Sequence, residues 1–397
     1  LASFGAGMSK VATNTRILFR RGDVWTTDST ISISNMKGPI SIGAYGSGNK
    51  PLIIKTGSTM AIEIKSYTAR DYVSDIRVSD LDIQGGKVEV FVWQSTIDFT
   101  YGNVEDILFQ RLYIHDVADV GFALGGKMPR ATNIFLIDSV VRETYNVNAY
   151  GSGTEVAFMG NEFSRSQQTH NFYGAITPKG VFSSNKFSQP CYVSNNGRAN
   201  LRFAYNPIDF DEHGQYVIVS DNEFDASTTY TALRLEYTGN LPEWRPSLYN
   251  TDFVIERNYF SNTSPAWGGG EQIVLIGFNR NITIRNNIIL EGYISAGPLG
   301  ITADFNGPES LFIYNNVIQG KGGKGIELDP SYYRDVNIVN NIINGASPSS
   351  NIEILVQDNI PYSSSLFVNP SPTLPADFQL QSIATSAIDK GAPVPVF

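Results

Sequence analysis

An asparagine returns at one phase of a short pattern along most of this chain, and that recurrence restricts the fold more than any other feature. The pattern reads apolar, any, apolar, any, any, Asn, any, apolar. It fits VAFMGNEF from Val156, VIVSDNEF from Val217, FVIERNYF from Phe253, ITIRNNII from Ile282, LFIYNNVI from Leu311 and VNIVNNII from Val336. Asn185, in NKF, is a further copy, so the set is Asn161, Asn185, Asn222, Asn258, Asn287, Asn316 and Asn341. Earlier copies at Ile76, Ile107 and Ile134 keep the apolar phase without the asparagine, with Leu81 and Leu112 in its place in the first two. Period-two alternation denotes a half-buried strand. The asparagine then falls in a two-residue bend before a second short strand, where its side chain tolerates a left-handed backbone.

Ahead of each copy lies another alternating stretch: TIDFT, GFALG, NLRFA, ALRLE, QIVLI, GITAD or GIELD. Copies recur every ~22 to ~37 residues, within the range of solenoid repeats. An open sheet or sandwich has no reason to keep one asparagine at the same phase of every unit. A solenoid does, because successive asparagines then stack about 4.8 Å apart and can bond along a ladder. The ladder is expected to begin only partway along, after Leu81 and Leu112.

Composition agrees. Apolar residues make up 42% and charged residues 17% of the 397, which permits a large core and argues against disorder. The net charge of −9, with no basic stripe or arm, excludes nucleic acid as the expected partner. No apolar run reaches the length of a membrane helix. The one cysteine, Cys191, has no Cys or His neighbours and reads as a small buried apolar residue.

With ILFRRGDVW and PISIGAYGSGNKPLI near the start and QSIATSAIDKG near the end, the chain resembles the right-handed parallel β-helix proteins of the pectin-lyase-like superfamily over nearly its whole length. The resemblance implies an all-β, right-handed parallel β-helix with an Asn ladder. It implies one domain over 1–397: a capping and entry segment at 1–60, main coils at 61–358 and a closing segment at 359–397. It also implies a carbohydrate-active enzyme, among lyases, glycoside hydrolases, epimerases and tailspike depolymerases. A secreted, extracellular or periplasmic location is expected with it, although no signal peptide stands in this chain. Oligomeric state is left open.

In such proteins the first strand of each unit forms the sheet whose outer face lines the substrate groove. Alternation then turns Asn200, Arg202 and Ala204 outward in NLRFA, and Arg234 and Glu236 outward in ALRLE. It turns Thr302 and Asp304, Glu327 and Asp329, and Asp98 outward in GITAD, GIELD and TIDFT. Arg202 and Arg234 thus share a column, with Glu236 between them in charge. Tyr205 and Tyr237 follow at matching positions. The longest loops come next, YNPIDFDEHGQ and YTGNLPEWRPSLYNTD, bringing Asp209, Asp211, Glu212, His213, Trp244 and Arg245 over the patch. His170 and Tyr173 lie one coil earlier, in HNFYG, whose alternation leaves open whether Phe172 or the Asn171/Tyr173 pair faces inward. His115 falls on a different side of the coil and reads as structural.

These residues suit a polysaccharide lyase cleaving a uronate-containing glycan by β-elimination. Arg202 and Arg234 would neutralise the carboxylate, His170 or His213 would take the C5 proton, and Tyr173 would protonate the leaving oxygen. Tyr205, Asp209, Asp211, Tyr237, Trp244, Arg245 and Asp304 are expected to bind substrate. The alternatives are a glycoside hydrolase or tailspike-type depolymerase using two carboxylates from Glu236, Asp304, Asp209 and Asp211, and a non-catalytic glycan-binding β-helix. The Asp-pair and Gly-His-Gly signatures of polygalacturonases and the Asp-Pro-His of alginate epimerases are absent. No cofactor is required; Ca2+ would find carboxylates at Asp209, Asp211 and Glu212, in a spacing unlike an EF-hand loop.

Overall fold

The structure, a computed structural model, describes residues 4–66, 72–94, 103–125, 131–151, 153–174, 177–193, 198–205, 214–228, 231–237, 250–263, 270–277, 279–297, 310–329, 335–347, 354–387 and 391, with backbone alone at 88–94, 125, 205, 237, 263, 346 and 347.

After a short helix, Phe4–Met8, the chain winds through three strands per coil, beginning with Thr15–Arg20. Each strand pairs in parallel with its counterpart one coil later. Three parallel sheets result, of thirteen, thirteen and twelve strands among the described residues. The first sheet holds the strands before the asparagine bend, the second those after it, and the third the strands that close each coil. The molecule is a right-handed parallel β-helix.

Inward residues stack like on like. Phe163, Phe187, Phe224 and Phe260 form a column on the second sheet with centroids 5.3, 4.9 and 4.8 Å apart. Ile289, Ile318 and Ile343 continue it, in register. At the far end Phe367, fully buried, packs against Tyr362 and Phe378.

The ladder is present. Each asparagine amide donates to the side-chain oxygen of the next: Asn161 to Asn185 at 3.0 Å, then Asn222, Asn258, Asn287, Asn316 and Asn341 in turn. The same oxygens accept the preceding asparagine's backbone N–H, as in Asn222 N to Asn258 Oδ1 at 3.0 Å. Ser139 heads the stack, its N–H donating to Asn161 and its hydroxyl accepting from Leu112 N. Asn359 ends it, 2.8 Å from Asn341 Nδ2, one rung beyond the sequence pattern.

One detail differs from expectation. The left-handed residue is the one before each ladder asparagine: Gly160, Ser184, Asp221, Arg257, Asn286, Asn315 and Asn340 have φ between 50° and 67°. The ladder side chain must point into the coil to reach its neighbours, and the preceding residue makes the turn. This explains the Asn-Asn pairs at 286–287, 315–316 and 340–341, where the first asparagine supplies the left-handed conformation and the second the hydrogen bonds.

Two strand assignments also change. The third-sheet strand in the coil of TIDFT is Val88–Gln94, and in the coil of GITAD it is Tyr293–Gly297. Asp98, Thr302 and Asp304 lie outside the described residues.

Candidate functional site

Arg202 and Arg234 lie directly opposite one another on Ala199–Tyr205 and Thr231–Tyr237 of the third sheet. The column continues backward through Tyr173 and Tyr150 and forward through Val274, Ser295 and Glu327. This outer face therefore reads, coil by coil, tyrosine, tyrosine, arginine, arginine, valine, serine and glutamate. Phe172 faces the core and Tyr173 faces out, which settles the alternation of HNFYG.

The two tyrosines stack at 5.5 Å with 15° between planes, and the Arg202 guanidinium lies 5.0 Å over the Tyr173 ring. Such contacts hold flat groups in place at little entropic cost. Burial, and then Tyr173 beside it, push the Tyr150 phenol above its ordinary range, so it keeps its proton at neutral pH.

Glu236, 4% exposed, sits between the arginines. Arg202 Nε donates to its Oε2 at 2.8 Å and Arg202 Nη2 lies 2.7 Å away. Arg234 Nε is 2.8 Å from the same oxygen, at an angle that makes an ion contact without a hydrogen bond. Two guanidinium groups share one carboxylate, so the cluster keeps one positive charge, and Arg198 adds another beside His170.

His170 takes a place different from that of an exposed base. It is 4% exposed, and both ring nitrogens face protein. Arg202 Nη1, which can only donate, lies 3.3 Å from Nε2. Nδ1 accepts from the Ala199 backbone N–H at 2.9 Å and lies 3.0 Å from the Ala199 carbonyl. Burial, reinforced by Arg202, lowers the pKa of His170 well below 6.5. The unfolded chain therefore binds a proton that the folded one refuses, and stability falls as pH drops below about 6.5. His115, on the second sheet, works in the opposite sense. Burial opposes its charge, but hydrogen bonds to Asp82 at 3.0 Å and Asp116 at 2.7 Å outweigh that and raise its pKa. Its contribution is complete below the unfolded value and is lost as pH rises through the raised one. We expect His170→Gln to flatten the acid side of a plot of thermal midpoint against pH, and His115→Gln to flatten the neutral side.

Asn200, expected on the outer face, is instead fully buried near the start of its strand. It belongs to a second ladder. Asn148 Nδ2 donates to Asn171 Oδ1 at 2.7 Å, and Asn171 Nδ2 to Asn200 Oδ1 at 2.8 Å. Each also donates to a backbone carbonyl of the second-sheet strand that follows it: Ser164, Ser188 and Asp225. This short ladder lies under the three coils that present Tyr150, Tyr173 and Arg202. Its sequence signal was there to read: NAY, NFY and NLR each place asparagine two residues before a groove residue. Gly151 follows Tyr150 at φ 144°, where an added Cβ would lie 2.1 Å from the Leu124 carbonyl oxygen.

The strand backbones pair Tyr205 with Tyr237 as expected. Their side chains, and all of His213, Asp209, Asp211, Glu212, Trp244 and Arg245, lie outside the described residues. Glu327 is exposed and bound by Lys324 at 2.8 Å. Cys191 is buried, as read from sequence. Among the described residues, no group of three or more His, Cys, Asp or Glu is placed to hold a metal, and no helix is long and apolar enough to cross a membrane.

No family model matches the sequence, and no curated protein matches it. Solved structures do. The A-module of mannuronan C-5 epimerase AlgE6 of Azotobacter vinelandii superposes with a TM-score of 0.61 at 12% identity, over 90% of this chain and 93% of that one. The AlgE4 A-module of the same organism gives 0.58 at 13% identity, over 91% of each chain. The GH136 lacto-N-biosidase of Eubacterium ramulus gives 0.55 at 14%, over 90% of this chain and 64% of that one.

The chain shares the parallel β-helix fold of these structures. Within that fold, its third sheet carries the tyrosine–arginine column.

Proposed function

We propose that the chain is a secreted, single-domain carbohydrate-active enzyme that cleaves a uronate-containing polysaccharide by β-elimination. The observation that carries this reading is the pairing of Arg202 with Arg234 over one buried carboxylate, next to two stacked tyrosines in the same column. A substrate carboxylate above the arginines meets a net positive cluster whose two guanidinium side chains are 15% and 19% exposed. As the C5 proton leaves, negative charge spreads onto that carboxylate and the contacts strengthen. The electron pair forms the C4–C5 double bond, the C4–O bond breaks, and the leaving oxygen takes a proton from the hydroxyl of Tyr173 or Tyr150. We assign the C5 proton to His213, in the loop after Tyr205. His170 becomes a positioning residue that holds Arg202 from below.

C5 epimerisation is the second reading, favoured by the likeness to two epimerase modules. It begins with the same proton removal and returns a proton to C5 without breaking C4–O. A hydrolase needs two carboxylates across the scissile bond, and Glu236 is already committed to the arginines. Incubation with polymannuronate, polyguluronate and polygalacturonate separates the readings. A lyase yields an unsaturated, ultraviolet-absorbing product. An epimerase changes the proton NMR spectrum at unchanged chain length, and a hydrolase gives saturated fragments. Tyr173→Phe is expected to lower turnover by about 10²–10⁴ with little change in KM; an unchanged rate would move the acid role to Tyr150.

A further inference from the structure

We propose that the outer face of the first sheet carries a second glycan site, for an uncharged polysaccharide, separate from the arginine groove. Leu108, Phe135, Val181, Ile218, Val254 and Phe312 lie in one outward column, interrupted by the small residues Ala157 and Thr283. At the C-terminal half of the column a cleft of about 480 Å³ opens between Tyr216, Ile218, Val254 and Phe312, lined also by Asp252 and Asn281. That size suits a small-molecule or oligosaccharide ligand.

Tyr216 marks the cleft as more than a bare apolar stripe. Most coils of this sheet have a bulge position with positive φ, filled by Asp75, Asp106, Asn133, Glu155, Asp252, Asn281 and Ser310 on coils other than that of Tyr216; the strand Lys179–Ser183 lacks it. Short polar residues adopt that conformation readily. Tyr216, at φ 53°, is the one aromatic among the described residues in this series, and it stands 58% exposed. The strained position holds its ring upright beside Ile218 and the cleft.

Shape and charge select the occupant. At about 4.8 Å per coil the column is roughly 40 Å long but one side chain wide, giving about 400 Å² of apolar surface. A stable protein partner needs about 800 Å² per side. The bulge series that borders the column carries carboxylates at Asp75, Asp106 and Asp252, with Glu155 paired to Lys179 at 2.9 Å, and this border disfavours an anionic polymer. An uncharged polysaccharide is long and narrow, lays C–H faces on aromatic rings, and offers hydroxyls to carboxylate and amide rims.

The test is isothermal titration calorimetry of the intact protein with cello-, manno-, xylo- and malto-hexaose and with a mannuronate hexasaccharide. Tyr216→Asn removes the ring while suiting the positive φ, so its thermal midpoint should hold or rise; Phe312→Ser removes the opposite wall. At least one uncharged hexasaccharide should bind, about tenfold more weakly to either variant, and equally well to Arg234→Ala. The mannuronate hexasaccharide should show no loss with Tyr216→Asn. No binding by any uncharged probe, or binding insensitive to both variants, overturns the proposal. So does a dimer in sedimentation that Tyr216→Asn dissolves, which would make this face a self-interface.

Discussion

Arg234→Ala is expected to lower turnover on a polyuronate by about 10²–10³, with Arg202→Ala nearly as severe, because each removes a preorganised donor from developing charge. Arg234→Lys should recover only part of the loss, since an ammonium keeps the charge but not the planar fork. Stability separates the single variants from the double one. Either single variant leaves Glu236 one guanidinium partner, so its thermal midpoint should fall only modestly. Removing both strands a carboxylate that is 4% exposed, and should cost about 3–5 kcal/mol. Adding Glu236→Gln to the double variant should restore much of that stability and none of the activity. Near-wild-type turnover in both single variants would sink the uronate reading.

The second large effect is expected in the ladder. Asn258 Nδ2 donates to Val219 O at 2.8 Å and to Asn287 Oδ1 at 3.0 Å, and Asn258 Oδ1 accepts from the backbone and side chain of Asn222. Asn258→Leu leaves the Val219 carbonyl and two Asn222 donors without these partners, at about 1–3 kcal/mol each. The total loss is about 3 kcal/mol or more, measurable as a lower urea midpoint. A change under 1 kcal/mol would mean that the bends relax to new partners. Ser139→Ala, at the head of the stack, loses only the hydroxyl contacts and should cost about 1 kcal/mol.

The ladder and the Arg202/Arg234 column were legible because both follow from periodicity. An asparagine at constant phase can only be a stack, and period-two alternation fixes which neighbours face out. What alternation does not fix is where a strand begins. Asn171 and Asn200 each sit one residue before a core-facing side chain and are themselves drawn inside by the second ladder, so counting outward from them fails. TIDFT and GITAD alternate as well as true third-sheet strands do, yet Val88–Gln94 and Tyr293–Gly297 hold those positions. Burial of His170 was equally invisible, because it arises from Arg202 and Ala199 on the next coil.

The ladder also tells where this molecule is free to change. Successive rungs keep the same bond lengths while the chain between them varies from 18 to 37 residues. The two longest intervals, 37 and 36 residues, run from Asn185 to Asn222 and from Asn222 to Asn258. They are the intervals that carry Arg202 and Arg234. Lengthening a loop costs only about 0.6 kcal/mol per doubling, whereas shifting a rung breaks several buried bonds. Insertions are therefore tolerated between rungs and penalised at them. Descendants of such a scaffold can diversify their polymer specificity by growing sequence over two coils while inheriting the spindle beneath unchanged.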